Sequence, residues 1–339
     1  MSINPIWRQR VLRFRQHRIG YYSLIAFALI FAICLGVNVV ANDKPILVKY
    51  QDGYYFPFAK AYPETTFGGV FETETNYQDP VVKALIDEHG YMIQPIIHFA
   101  DQTPSVGREV PFPAPPNRDN WLGTDDQGRD VLARVLYGLR VSLLFGLALT
   151  LAGSIIGIVV GGVQGYYGGW TDLVGQRLME VWGGLPMLFM IIILVSLFSP
   201  SVMVLFSMML LFGWMGLVGL VRAEFLRARN FDYVRAAKAM GVSDAKIMFR
   251  HILPNAMSSS LSQLPFILTA NITALTTLDY LGYGLPAGSP SLGELIAQGK
   301  NNLDAPWLAL AGFFSLTIVL SLLIFIGEAL RDAFDPRQS

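Results

Sequence analysis

Six apolar stretches, each close to the length that crosses a lipid bilayer, constrain this 339-residue chain more than anything else in it. A helix covers the hydrocarbon core with about 20 apolar residues. The stretches are Tyr21–Val40, Val141–Gly162, Val181–Phe198, Val202–Val221, Ser258–Leu281 and Leu308–Gly327. Lipid offers the backbone no hydrogen-bond partners, so each stretch must satisfy its own amides, which selects α-helices. Composition agrees: with 53% hydrophobic and 15% charged residues, too little polar surface remains to face water on all sides. The formal net charge is zero, so nothing pulls the whole chain towards nucleic acid. One cysteine, Cys34, lies in an apolar run. It excludes an intrachain disulfide and a thiolate metal cluster, and reads as a small side chain facing lipid or a helix.

Six spans leave both termini on one side. The first run exceeds the roughly 7–15 residues of a signal-peptide core, so it reads as an uncleaved anchor, although Val39-Val40-Ala41 resembles a cleavage site. Arg8, Arg10, Arg13, Arg15 and Arg18 precede it, and Arg177 precedes the third span. Arg222, Arg227, Arg229, Arg235, Lys238, Lys246 and Arg250 separate the fourth from the fifth, while Arg331 and Arg337 follow the sixth. All fall on one side, which is therefore expected to be cytoplasmic. The expected organisation is a basic N-terminus (1–20), a first helix (21–41) and an outer insertion with its linker (42–135). Helices two to six follow (136–330), with an inner segment 222–252 and an outer loop 282–306, then a cytoplasmic tail (331–339).

The spans carry little ionisable chemistry. No charged residue falls between Arg140 and Asp172, Glu180 and Arg222, His251 and Asp279, or Asp304 and Glu328. Proton- and ion-coupled carriers keep such groups at membrane depth, so a self-powered carrier is disfavoured, although backbone carbonyls can bind sodium. No nucleotide loop is legible. Gly293 to Gly299-Lys300-Asn301 has its glycines one residue too far apart and Asn where Ser or Thr belongs. His17, His89, His98 and His251 are scattered, without a ligand pair. Asp79, Asp87 and Glu88 assemble no paired-acid site. Gly165 to Trp170 reads as a tight turn.

Two spans have internal pattern. Gly153, Gly157, Gly161 and Gly165 recur every four residues, one helical stripe where a neighbouring backbone can come close. The fifth span is the most polar, with Ser258, Ser259, Ser260, Ser262, Gln263, Thr269, Asn271, Thr273, Thr276 and Thr277. Its hydroxyls can bond the preceding turn, but Gln263 and Asn271 cannot readily do so. Ser262, Gln263, Asn271 and Thr273 are the candidates for lining a solute path, and Pro254 and Pro265 are expected to kink the helix.

Between the fourth and fifth spans lies a charged, helix-prone elbow, Phe231 to Asn255. Asn230 or Asp232 can cap a helix there, and Gly241 can end it in a left-handed conformation. Val234, Ala237 and Met240 form an apolar stripe, Ala236, Ala237 and Ala239 keep the surface low, and Ser243 can cap the next helix. A basic helix lying on lipid headgroups would account for the same pattern.

The elbow resembles the cytoplasmic loop of ABC importer permeases. Ala236, Ala237, Gly241, Leu253 and Pro254 match that motif, with Arg235 where the general pattern has Glu, and Tyr233-Val234 ahead of it as in the peptide-importer branch. Trp121 to Leu143 and Leu281 to Leu295 resemble the same branch. The resemblance runs from about residue 120 to the C-terminus. It implies an all-α membrane protein with the six transmembrane helices of the type I ABC importer permease fold and a small periplasmic insertion after the first. It also implies a bacterial inner-membrane subunit importing peptides, with Tyr233, Arg235, Ala236, Ala237, Met240 and Gly241 coupling it to an ATPase. ATP and Mg2+ would sit on that partner, and no cofactor or metal on this chain. The other implied partners are a second permease subunit and a periplasmic peptide-binding protein.

The insertion, 42–118, is long for that branch. Its aromatics, Tyr50, Tyr54, Tyr55, Phe56, Phe58, Tyr62, Phe67, Phe71 and Tyr77, are enough for a small packed subdomain, and Pro111–Pro116 reads as a stiff linker. Together with the Ala-Asn-Asp-Lys-Pro start of the insertion and the Phe-Asp-Pro ending, it resembles the Yej-type permeases of microcin C and oligopeptide importers. Two other readings stay open: a self-contained channel or carrier, and an intramembrane enzyme using Asp125, Asp126, Arg129 and Asp130.

Overall fold

The computed structural model describes residues 5–105, 111–198 and 201–334. Arg337, the end of the tail and the side chain of Ser258 lie outside the described part. The basic N-terminus is helix α1 (Pro5–Gln16), followed by α2 (Arg18–Leu35) and, across Gly36, by α3 (Val37–Val40). The first span therefore ends five residues earlier than its hydropathy implied. The insertion holds β1 (Leu47–Tyr50), β2 (Gly53–Tyr55), α4 (Pro80–His89) and β3 (Gly90–Ile93). Then come α5 (Val131–Tyr167), α6 (Gly169–Gly183), α7 (Met187–Leu197), α8 (Val202–Gly213), α9 (Val218–Ala228), α10 (Asp232–Ala239), α11 (Asp244–Lys246), α12 (Leu253–Tyr280), α13 (Leu292–Asn301) and α14 (Pro306–Phe334).

Among the described residues, five helical segments are long and apolar enough to cross a bilayer, or six if α6 and α7 count as one broken span. Those two helices meet at 73°, so the third span is bent rather than the straight run from Val181 to Phe198 that its composition implied. The physical cause is local: Gly183-Gly184 weakens the turn, and Pro186 has no amide to continue it. The fourth span is continuous in length but tightens into a 3-10 turn at Trp214–Leu217.

Contacts divide the chain into two compact units, one of Met1–Ala28, Ser142–Pro286 and Thr317–Ser339, the other of Leu29–Val141 and Ala287–Leu316. In the first, the glycine stripe of α5 packs against backbone. A Cβ at Gly157, Gly161 or Gly165 would stand 2.7, 2.6 or 2.5 Å from the carbonyl oxygens of Trp214, Val218 and Arg222. Beside this seam, Phe145 and Leu149 of α5 pack with Ile191 and Val195 of α7, Met209 and Phe212 of α8, and Leu275 and Leu278 of α12. The Arg222 guanidinium pairs with Asp172 of α6, its Nη2 lying 2.7 Å from Oδ2.

In the second unit, β1 is the middle of a three-stranded antiparallel sheet, with Val48 opposite Tyr55 and Leu47 opposite Ile93. Asp79 caps α4 by accepting the Val81 amide at 2.8 Å, with Pro80 in the first turn, where its missing amide costs nothing. Phe67 is fully buried and meets Tyr50, Tyr55 and Tyr77 edge to face, at 5.7, 5.3 and 5.7 Å between centroids. Burial pushes the Tyr77 hydroxyl up to about 12. Tyr54, Phe56, Phe58 and Phe71, counted with this core on composition, are exposed instead. The Pro111–Pro116 segment is not a free linker: Ala114 is buried, its amide donates to Thr124 Oγ1 at 2.8 Å, and its carbonyl accepts the Thr124 amide at 2.9 Å. The segment 282–306 contains the helix α13.

Close approach along α5 sets a test. Gly161→Ala should destabilise the chain by about 1–3 kcal/mol, because a methyl group must displace backbone. Gly219→Ala, on the facing helix with nothing within 4 Å of the added carbon, should be neutral or slightly stabilising. Thermal unfolding in detergent distinguishes the two, and equal melting temperatures would contradict the packing described.

Candidate functional site

The elbow begins where α9 ends. Phe231 occupies the capping position with extended dihedrals and no side-chain cap bond, while the Asn230 side-chain Nδ2 turns back to donate to the Leu226 carbonyl at 3.3 Å. Neither Asn230 nor Asp232 caps α10, contrary to the sequence expectation. Asp232 is the first helical residue, where its charge favours the positive end of the helix dipole. Ser243 likewise precedes α11 without a side-chain bond.

The stop signal at Gly241 is explicit. Its φ is +76°, its amide donates to the Lys238 carbonyl, and the Val242 amide donates to the Ala237 carbonyl at 3.1 Å. This pair of bonds is the Schellman closure, and Val242 packs on the same apolar cluster as Ala237. Beyond it, the backbone runs through α11 into a π-helical segment, Ile247–Ile252, before α12 starts with Pro254 in its first turn. Pro254 thus marks a change of helix type rather than a kink inside α12, whereas Pro265 does lie within it.

The apolar stripe of α10 is shorter than expected. Val234 and Ala237 are each 3% exposed, sunk among Tyr166, Val221, Phe225, Ile247 and Ile252, but Met240 is 75% exposed and leaves the stripe. Ala237 therefore anchors α10 inward. The outward face is Phe231, Tyr233, Arg235, Ala236 and Met240, with the Phe231 and Tyr233 rings 5.8 Å apart. It is aromatic, basic and low, a surface that a groove with acidic or amide groups can cover closely.

Tyr166, near the end of α5, braces this elbow. Its hydroxyl donates to Asp244 Oδ1 at 2.6 Å, and the Lys238 ammonium lies 6.0 Å from its ring centroid. Nothing in the sequence pattern singles out Tyr166, since its partner is 78 residues away.

On α12 the hydroxyls mostly serve their own helix. Ser262 is buried and donates to the Ser259 carbonyl at 2.8 Å, so it does not line open surface as expected. Thr273 is exposed, yet its hydroxyl also turns back, to the Thr269 carbonyl. Asn271 behaves as its chemistry demands and reaches α5, donating to Thr150 Oγ1 at 2.9 Å. Gln263 is half-buried.

The acids weighed for catalysis are tied into a buried ionic network. Asp125 accepts the Arg129 side chain at 2.7 Å and its amide at 2.9 Å, and Arg134, fully buried, reaches Glu294 Oε2 at 2.7 Å. Asp130 caps α5 through the Ala133 amide and accepts from Asn120. Asp126 stays at the surface, where desolvation of its carboxyl and repulsion from Asp125 push its pKa up. The network joins the two sequence stretches 121–143 and 281–295, which were read separately. The Gly293 to Asn301 segment, the nearest approach to a nucleotide loop, is helix rather than loop. Among the described residues no group of His, Cys, Asp or Glu side chains is arranged to hold a metal.

Residues 153–339 match the family model described as binding-protein-dependent transport system inner membrane component. Over 337 residues the chain is 55% identical to the inner membrane ABC transporter permease protein YejE of Escherichia coli (strain K12), covering 99% of both chains. It is 49% identical to the peptidoglycan transport system permease protein YejE of Agrobacterium fabrum, covering 99% of this chain and 94% of that one. The dipeptide transport system permease protein DppC of Bacillus subtilis is 37% identical over 227 residues, 66% of this chain and 70% of its own.

A bond from a hydroxyl to a carboxylate is worth about 1.5–3 kcal/mol. Tyr166→Phe and Asp244→Ala should each speed amide hydrogen exchange in residues 232–252, and together they should do no more than either alone. Fully additive effects would remove the brace.

Proposed function

The chain belongs to the binding-protein-dependent transport system inner membrane components, and from that premise we propose that it supplies half of the path through which an ATP-driven importer takes up peptides. A second permease subunit completes the path. An ATPase subunit binds ATP and Mg2+ and docks on the elbow, and a periplasmic peptide-binding protein delivers cargo to the outer side. The chain sits in the bacterial inner membrane with both termini cytoplasmic. Its cargo class is oligopeptides and microcin C-like peptides. One relative is named for peptidoglycan transport, which supports a peptide-bearing cargo.

The geometry of the elbow is the observation that carries this reading. Tyr233, Arg235, Ala236 and Met240 face outward, Gly241 fixes the turn that presents them, and Val234 and Ala237 are embedded. The embedded side packs on Tyr166 of α5, Phe225 of α9, and Ile252 and Ala256 leading into α12. Close-packed side chains deform little, so a push on α10 moves those helices with it. α12 carries the Asn271–Thr150 bond and the half-buried Gln263, the polar groups best placed to meet cargo. To reverse a 1:99 population of outward and inward states, nucleotide binding must discriminate between them by about 5.5 kcal/mol.

The deciding experiment is mild purification from the native membrane, followed by reconstitution. An ATPase and a second membrane subunit should accompany the chain, and uptake should require all of them. A lone subunit that hydrolyses ATP, acts on peptides or pumps unaided would overturn the proposal in favour of an enzyme or a self-contained carrier. Within the assembled transporter, Ala236→Trp should reduce ATP-dependent uptake at least tenfold while the melting temperature of the isolated chain is unchanged. Normal uptake would exclude this face from coupling.

A further inference from the structure

Residues 1–42 contain no Asp or Glu, yet they contain five arginines, Arg8, Arg10, Arg13, Arg15 and Arg18. The break between α1 and α2 falls at His17, whose Nδ1 accepts the Gly20 amide at 3.2 Å and so starts α2. At 1.5 Å per residue, the 18 residues of α2 reach about 27 Å, nearly the full hydrocarbon thickness of a bilayer. The end of α2 at Arg18 is therefore at headgroup level, and α1 continues from it within or just beyond that layer.

The arginines of this segment do not share one environment. The Arg10 guanidinium lies over the Phe334 ring, 4.6 Å from its centroid, and is thereby held to α14. Arg8, Arg15 and Arg18 are exposed, and among the described residues none of the three forms an ion pair with an acid. Between them stand exposed apolar side chains: Val11, Leu12, Ile19 at 60% and Tyr22 at 67%. Leu12 and Arg15 on α1, and Ile19 and Tyr22 on α2, are each three residues apart, so on either side of the break they stand as neighbours on their own helix. On α2 that exposed surface runs on through Ile25 and Leu29, on a helix that keeps most of its surface outside the protein.

We propose that α1 and the start of α2 form a binding surface for anionic phospholipid headgroups, with Arg8, Arg15 and Arg18 engaging the lipid phosphates and Leu12 and Ile19 entering the acyl boundary. Three features select this occupant. Within the segment the charge is single-signed, the nearest acid being Asp332 of α14 at 3.7 Å from His17, and guanidinium groups match phosphate oxygens bidentately. The arginines are interleaved with apolar side chains, which a soluble anion would leave in water. The surface is also continuous with the lipid-facing side of α2. The bond to lipid would fix the inner end of this helix at a set depth. It is independent of the transport reading.

The test uses the full chain, reconstituted in nanodiscs of phosphatidylethanolamine and phosphatidylglycerol, with retained lipid counted by native mass spectrometry. Wild-type protein should retain phosphatidylglycerol preferentially. The R8Q/R15Q/R18Q variant should lose that preference at least tenfold, the R8K/R15K/R18K variant, which keeps the charge without the bidentate fork, should fall between the two, and Arg177→Gln, on α6, should leave it intact. Equal melting temperatures across the set separate lost binding from lost folding. Unchanged lipid preference in the glutamine variant would overturn the proposal. So would displacement of phosphatidylglycerol by millimolar inorganic phosphate, which would identify a site for a soluble anion, or the same loss in Arg177→Gln, which would mean a diffuse charge effect.

Discussion

Along one side of α5 there is no room for any side chain at all. The carbonyl oxygens of Trp214, Val218 and Arg222 occupy the space where Cβ atoms would stand at Gly157, Gly161 and Gly165. In lipid, apolar burial drives helix association only weakly, so close van der Waals contact of this kind must hold helices together. The seam also sets positions further on. It draws Val221 and Phe225 of α9 to the level of Tyr166, and those three side chains make the floor on which Val234 and Ala237 rest. A wider α5–α9 spacing would leave α10 without a base.

Rigidity and exposure are thus divided within one short helix. α10 is only 8 residues long, too short to be stable alone in water. Its helicity comes from the embedded face and from the Gly241 closure, which satisfies two carbonyls that would otherwise end the helix unpaired. The outward residues are then free of structural duty. Arg235 stands on that outward face, so its charge can change without disturbing the anchoring residues Val234 and Ala237.

Much of this was legible in the sequence. Apolar length located the helices, because lipid leaves the backbone no alternative. The four-residue spacing of glycines located the α5 seam, and Gly241 located the end of α10. What escaped depended on contacts distant in sequence or on competition between local signals. The 73° bend between α6 and α7 was hidden because hydropathy averages across Gly184 and Pro186. Met240 matched the stripe by spacing, but the Schellman turn starts at that residue and swings it outward. Asn230 and Asp232 are good caps in isolation, but Phe231 holds the capping position, which leaves Asn230 before it and Asp232 inside the helix. Arg134 and Glu294 are 160 residues apart, so their pairing had no periodic signature. The insertion's aromatics predicted a core but not its membership, since strand alternation turns Tyr54 out and Tyr55 in.

The π-helical passage at Ile247–Ile252 has a bearing on how such chains diversify. A wide turn accommodates one residue more than an α-turn, which offsets the angular phase of everything before it from everything after by roughly 100°. The passage acts as a vernier. A single-residue insertion or loss there would rotate α10 about the helix axis while the polar face of α12 stayed where it is. The outward face of α10 would thereby be re-aimed with no change at the Asn271–Thr150 bond.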